Sequence, residues 1–242
     1  YRIERVLGRG GMATVFEASH VRLPRHFAIK VIKADAEEGQ EFLVRFRREA
    51  ETLAKLDHPN IVNVFDWNVT ESGLPYLVME LLQGEDLSQL LRREGALPLT
   101  LAIHLFAQVA AALEVAHSHG IVHRDIKPSN VFLCQSGPVA HFVKVLDFGI
   151  AKHVLSTASL LTQERSLLGT PAYMSPEQAR GENHVIDERT DQFALALILY
   201  EMLTGRPPFL GDSPVSVAYQ HVREMPIPPS QLDPEITPED VK

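Results

Sequence analysis

His123-Arg124-Asp125-Ile126-Lys127-Pro128-Ser129-Asn130 packs a carboxylate, two fixed cations and an amide into eight residues that follow a long apolar stretch. A carboxylate at Asp125 can accept a hydroxyl proton, and a lysine two residues on can neutralise an anionic group in transfer. Further along, Lys144-Val145-Leu146-Asp147-Phe148-Gly149 ends a β-rich run with an acid set before a glycine. Asp147 and Asn130 together offer hard oxygen ligands of the kind Mg²⁺ takes.

Upstream, Gly8-Arg9-Gly10-Gly11-Met12-Ala13-Thr14-Val15 is a glycine-rich loop. Glycines let backbone N–H groups approach anionic oxygens with no Cβ in the way. A dinucleotide fingerprint requires strand, loop, then helix; here strand follows strand, which suits a flap over phosphates. Ala28-Ile29-Lys30 lies in the next strand pattern, 22 residues after Gly8. In the helical pattern Glu41–Leu56, Phe42, Phe46, Leu53 and Leu56 form an apolar face into which Glu49 falls, whereas Glu51 points away. A carboxylate on a buried face needs a cation, and Lys30 is the expected partner of Glu49.

Around these motifs the chain changes character. Arg2–Leu7, Thr14–Ser19, Phe27–Ile32, Ile61–Asn68 and Tyr76–Glu80 read as short strands, with Glu71-Ser72-Gly73 as a turn. After a linker near Leu81–Gly84 the pattern is helical: Leu99–His119, then Phe193–Leu203, apolar nearly all round, then Val215–Arg223. Pro226–Pro229 reads as extended, and Ile236–Asp240 as the start of a further helix. The expectation is an α+β chain: a small antiparallel β-rich lobe with one helix, then a larger helical lobe.

Composition bounds the function. The 242 residues are 45% apolar and 22% charged, values of a globular chain rather than a disordered or fibrous one. The net charge of −8 argues against non-specific binding to nucleic acid or anionic membrane. The single cysteine, Cys134, can form neither an internal disulfide nor a cysteine metal site, so a reducing, cytoplasmic compartment is expected. His104, Gln108 and Glu114 interrupt the most apolar stretch, so no membrane contact is expected within this segment. His117, His119 and His123 crowd together but end a helix, and a structural role is expected for them.

Taken in order, the glycine loop, strand lysine, helix glutamate, His-Arg-Asp, Asp-Phe-Gly and the Ser175-Pro176-Glu177 box resemble a protein kinase across essentially the whole chain. Gly8–Met12, Arg45–Ala50 and Gly211–Glu224 resemble more closely the bacterial Ser/Thr kinases of the PknB type. The resemblance implies a bilobal kinase fold, with 1–80 as N-lobe, 81–84 as hinge and 85–242 as a C-lobe incomplete at its C-terminus. It implies transfer of the γ-phosphoryl group of ATP to Ser/Thr hydroxyls of proteins, with Mg²⁺ as the ion and Mn²⁺ as the alternative. Asp125 would be the base, Lys127 would stabilise the migrating phosphoryl group, and Asn130 and Asp147 would hold the metal. Lys30, held by Glu49, would bind the α/β phosphates under a loop running through Gly8, Arg9, Gly10, Gly11, Met12, Ala13 and Thr14. Leu7, Val15, Ala28 and Phe132 would enclose the adenine, Met79 would border its pocket, and Glu80 and Leu82 would offer hinge backbone. Asp86 would touch the ribose, and Asp191 would hold the backbone of His123 and Arg124.

By the same resemblance, Lys127 and Gly169-Thr170-Pro171 imply the Ser/Thr class, and Thr170 would brace Asp125 and Lys127. The resemblance also implies activation by phosphorylation between Gly149 and Glu177. Thr162 is the foremost site there, Ser159 and Ser166 are lesser ones, and Glu164 supplies a standing charge. A homodimer would serve autophosphorylation in trans. Glu177 has no recognisable partner in this chain. Two other readings remain open: a pseudokinase, though Lys30, Asp125 and Asp147 are all present, and a small-molecule kinase of the same fold.

Overall fold

A computed structural model describes residues 1–33, 39–135, 140–148, 171–233 and 236. Contacts divide these into two compact units: 1–83, and a second formed by 84–148 with the described residues after 170.

The first unit is an antiparallel sheet built from β1 (Arg2–Arg9), β2 (Ala13–Ser19), β3 (His26–Ile32), β4 (Val64–Val69) and β5 (Pro75–Glu80), with α1 (Gly39–Leu53) between β3 and β4. Strand order is β1-β2-β3-β5-β4. The pleat sends alternate residues to opposite faces. Phe27 and Ile29 of β3 therefore join Ala18 and Val78 in one core cluster, with Val31 and Tyr76 packed against it. On the opposite face, Lys30 pairs with Val15 on one side and Leu77 on the other, and Ala28 pairs with Met79. The expected apolar face of α1 is buried at Phe42, Phe46 and Leu53, with Ala50 filling the step between them. Phe46 meets the edge of Trp67 on β4, ring centres 6.1 Å apart.

The second unit contains β6 (Gly84–Asp86), α2 (Leu87–Glu94), α3 (Leu99–Ser118), β7 (Val131–Cys134), β8 (Phe142–Val145), α4 (Pro176–Ala179), α5 (Glu188–Thr204), α6 (Pro214–Arg223) and α7 (Pro229–Leu232). The strands form a small antiparallel sheet, β6-β7-β8. Between the expected linker near Leu81–Gly84 and the expected helix at Leu99, the chain makes β6 and then α2. Gly84 is required there: φ is +151°, and a Cβ would lie 1.9 Å from the Leu133 carbonyl oxygen. Asp86 then starts α2 with a reciprocal cap, accepting from Gln89 N at 2.9 Å while Gln89 Oε1 accepts from Asp86 N at 3.0 Å.

Two expectations shift. α5 starts at Glu188 behind the cap Asp187, ahead of the apolar run that begins at Phe193, and so takes Asp191 into its first turn. Pro229 is not extended but opens α7. The helix start expected at 236–240 lies outside the described residues apart from Ile236. By length and composition α3 could cross a membrane. Here Ala102, Leu105, Val109, Ala112, Leu113 and Ala116 bury one face of it, and it packs beside α5 as a core helix.

His221 of α6 is the exception in this core. The residue is 5% exposed, and its ring lies 4.9 Å from the Phe209 ring and 5.8 Å from that of Phe193. Neither ring nitrogen has a hydrogen-bond partner among the described residues. Burial holds its pKa down at about 4. The unfolded chain, with an ordinary histidine near 6.5, binds the extra proton first as pH falls. His221 therefore contributes nothing adverse above pH 6.5 and costs stability progressively from there down to about 4. His221→Phe should narrow the loss of stability between pH 7 and pH 5 by about 2 kcal/mol, read from urea unfolding at the two pH values. An unchanged difference would show that the ring is not the titrating group.

Candidate active site

In the second unit the site grows from strand pairing. Val131 of β7 lies opposite Val145 of β8, so the residues just beyond them, Asn130 and Leu146, also meet. Leu146 N donates to Asn130 O at 2.8 Å. Asp147 is the next residue, so the two predicted oxygen ligands are brought together by the end of one sheet. Pro128 opens a single 3₁₀ turn through Asn130, which turns the loop into β7.

Within the loop, Lys127 Nζ lies 2.9 Å from Asp125 Oδ2. Asn130 Nδ2 donates to the Asp125 carbonyl at 2.8 Å and reaches Asp125 Oδ2 at 3.4 Å. Committing the amide nitrogen inward leaves Oδ1 as the Asn130 atom that could serve the expected ligand role. Among the described residues no cluster of three or more His, Cys, Asp or Glu side chains could hold a metal. One amide oxygen and one carboxylate still fit Mg²⁺, which takes few protein ligands and keeps water and phosphate oxygens.

Below the loop, His123 is fully buried and its ring centre is 4.7 Å from that of Phe148. Burial holds its pKa below the ordinary value, against the opposing pull of Asp191. The neutral ring donates from Nε2 to Leu146 O at 2.7 Å and accepts at Nδ1 from Asp125 N at 3.3 Å. His123 thus links the Asp147 segment to the Asp125 segment.

Three non-glycine residues have positive φ among those described, and two are in this site: Arg124 at 64° and Asp147 at 55°. A left-handed residue costs about 1–2 kcal/mol. The Arg124 peptide is held by Asp191, which accepts from Arg124 N at 2.8 Å and from His123 N at 2.7 Å. Asp191 Oδ2 also accepts from His117 Nε2 at 2.8 Å, a partner the sequence did not reveal.

After residue 170 the chain is fastened by side chains. Tyr173 donates its hydroxyl to Glu201 of α5, and Ser175 caps α4. The expectation that Glu177 lacks a partner is corrected: Thr190 Oγ1 donates to it. Burial pushes the Glu177 carboxyl up, but hydrogen bonds from the Thr190 and Ser175 hydroxyls and its own amide outweigh that, and its pKa lies below the usual range.

In the first unit, cross-strand pairing sets Gly8 beside Val15, Val15 beside Lys30, and Ala28 beside Met79. Directly opposed residues share a face, so Val15, Ala28, Lys30 and Met79 line one surface. Leu7, Arg9 and Met12 are exposed, Thr14 is half-buried and Ala13 buried. Lys33, which sequence reasoning passed over, ties the glycine loop back, its Nζ donating to Gly10 O at 2.7 Å. Side chains at Gly8 or Gly11 would meet nothing within 4 Å, and neither has a positive φ. Glu49 is half-buried on α1 and Lys30 half-buried on β3. Glu80 Oε1 accepts from Asn63 N at 2.8 Å, and Leu82 is half-buried. Phe132 and Asp86 belong to the second unit, where they lie opposite each other on β7 and β6. Thr170, with Thr162, Glu164, Ser159 and Ser166, lies outside the described residues.

The protein kinase domain family matches residues 1–239. The serine/threonine-protein kinase PknB of Mycolicibacterium smegmatis is 46% identical over 99% of this chain and 38% of its own length. A probable serine/threonine-protein kinase of Streptomyces coelicolor is 48% identical over 99% of this chain and 35% of its own. The chain thus spans well under half the length of these relatives. Among solved structures, the Mycobacterium tuberculosis PknI kinase domain superposes with a TM-score of 0.73 at 30% identity, covering 98% of this chain and 84% of that one. Rad53 in complex with AMP-PNP gives 0.78 at 30% identity over 98% of this chain and 57% of that one.

Proposed function

Because the chain belongs to the protein kinase domain family, we propose that it transfers the γ-phosphoryl group of ATP to serine and threonine hydroxyls of proteins, and to its own loop between Gly149 and Glu177. The observation that carries this reading is the Asp125–Lys127 pair at 2.9 Å, braced by Asn130 and seated on buried His123. Asp125 orients the acceptor hydroxyl and receives its proton, and Lys127 balances the charge carried by the migrating group. Asn130 and Asp147 hold Mg²⁺, or Mn²⁺ in its place; when bound, the ion neutralises charge on the phosphate oxygens. Phosphoryl transfer needs positioning and charge compensation more than covalent help, and these groups supply both.

The nucleotide is assigned to the surface lined by Val15, Ala28, Lys30 and Met79 together with the glycine loop. Neither backbone conformation nor internal packing demands glycine at Gly8 or Gly11, which supports their keeping space for an external group. The relatives' serine/threonine names support the acceptor class, and the AMP-PNP complex of Rad53 supports an adenine nucleotide as the ligand. Residues 81–84 would be the hinge, with Glu80 and Leu82 offering backbone to the base.

Incubation with radiolabelled ATP and a generic basic protein, followed by phosphoamino-acid analysis, tests the reading. Phosphoserine and phosphothreonine are expected, with Thr162 modified when the kinase is expressed alone. Phosphotyrosine, or nucleotide binding without transfer, would overturn it. Within the nucleotide half, Lys30→Met and Glu49→Ala should each lower kcat strongly, and the double variant should cost far less than both together. Paired groups couple by about 0.5–3 kcal/mol; additive losses would show that the two side chains do not work together.

A further inference from the structure

Both backbone polar groups of Arg124 are engaged by side chains from distant segments. Its N–H goes to Asp191 Oδ1 at 2.8 Å, and its carbonyl accepts from Gln178 Nε2 at 2.8 Å. Gln178 lies on α4, 54 residues further along the chain. Its other amide atom is also committed, since Oε1 accepts from Ser175 N at 3.0 Å, while Gln178 N reaches Ser175 Oγ at 3.4 Å. One partner is a donor and the other an acceptor, so only one orientation of the amide serves both. The reciprocal cap alone does not explain a glutamine: a glutamate at the same position caps equally well. A carboxylate, however, would set an acceptor against the Arg124 carbonyl. The residue type is therefore specified by Arg124, which precedes Asp125 and holds φ at 64°.

We infer that Gln178 is a positioning residue for phosphoryl transfer: its amide fixes the left-handed Arg124 peptide, and so the aim of Asp125, from the segment that follows residue 170. The inference rests on the kinase reading for its effect on rate, but not for its effect on the backbone.

Gln178→Glu and Gln178→Ala separate the two jobs. Gln178→Glu keeps the cap and loses the donor, so its melting temperature should fall less than that of Gln178→Ala, which loses both. In Gln178→Glu, kcat should fall on the order of tenfold or more, since a small misplacement of a reacting group is costly, with KM for ATP unchanged. Amide hydrogen exchange should quicken at His123 to Asp125. Lowering the pH should restore kcat of Gln178→Glu relative to the parent, because the protonated carboxyl regains a donor. Unchanged exchange and kcat in Gln178→Glu would overturn the inference, as would a loss of rate fully accounted for by a lower melting temperature. If the parent protein transfers no phosphate, the kinase reading fails, and exchange at the Arg124 peptide still decides the positioning role.

Discussion

Asp125→Asn is expected to lower kcat for peptide phosphorylation by about 10²–10⁴-fold, the usual worth of a positioned base, while nucleotide affinity stays near that of the parent. The substitution keeps the shape of the side chain and removes only its charge and basicity. Asn130 Nδ2 retains its bond to the residue 125 carbonyl, and His123 Nδ1 still receives the residue 125 amide, so the loop should keep its path. Lys127 loses its anion at 2.9 Å and turns wholly to the phosphate. Asp147→Asn differs in kind: it should weaken Mg²⁺-dependent nucleotide binding as well as turnover, because its carboxylate is assigned to the ion. Steady-state kinetics alongside nucleotide titration, with and without Mg²⁺, separates the two variants. Turnover by Asp125→Asn at the parental rate would remove Asp125 from the role of base.

What is legible in the sequence follows from what local chemistry encodes. The five strands of the first unit are β-branched runs broken by Gly and Pro, and the two-residue period places Ala28 and Lys30 on one face whatever the rest of the chain does. The step pattern of Phe42, Phe46 and Leu53 likewise places Glu49 on the inward side of its helix by spacing alone. β6 and α2 follow the expected linker near Leu81–Gly84 and are absent from the sequence reading, because a three-residue strand and a two-turn helix are too short to show a period. The signal was nevertheless present in Asp86 followed three residues later by Gln89, a capping pair. The contacts that hold the site are different in nature. Asp191 reaches His123 across 68 residues, Gln178 reaches Arg124 across 54, and Thr190 reaches Glu177 from another helix. Each is a side chain bonded to a single backbone or hydroxyl group, and such bonds leave no periodicity. Asp191 was expected at His123 and Arg124 through resemblance alone. Gln178 is signalled only as the capping partner of Ser175, three residues earlier, with nothing to point it at Arg124, and a histidine near a helix end such as His117 is ordinary.

Asp191→Ala should be among the most destabilising single changes in the second unit. The carboxylate is fully buried and accepts from His123 N, Arg124 N and His117 Nε2. Removing it strands the buried His123 N–H and weakens the part-buried Arg124 N–H and His117 contacts, at about 1–3 kcal/mol for each group left orphaned, and frees Arg124 to leave its left-handed conformation. A loss of about 3–5 kcal/mol is expected, as for other broken buried charge contacts. Asp191→Asn is the sharper probe. His117 can shift its ring proton and accept from the new amide, so that contact is recoverable. The two backbone N–H groups are not: they bond different oxygens of Asp191. Whichever way the asparagine amide turns, one of them must face an NH₂ group. The variant should therefore lose about 1–3 kcal/mol, one orphaned donor's worth, and its transfer rate should fall further than the unfolded fraction explains. Urea unfolding of both variants, set beside kcat measured well below the transition, distinguishes the two losses. If Asp191→Asn proves as stable and as active as the parent, the Arg124 peptide is held by Gln178 and the fold around it, and the carboxylate is a helix-start acid and nothing more.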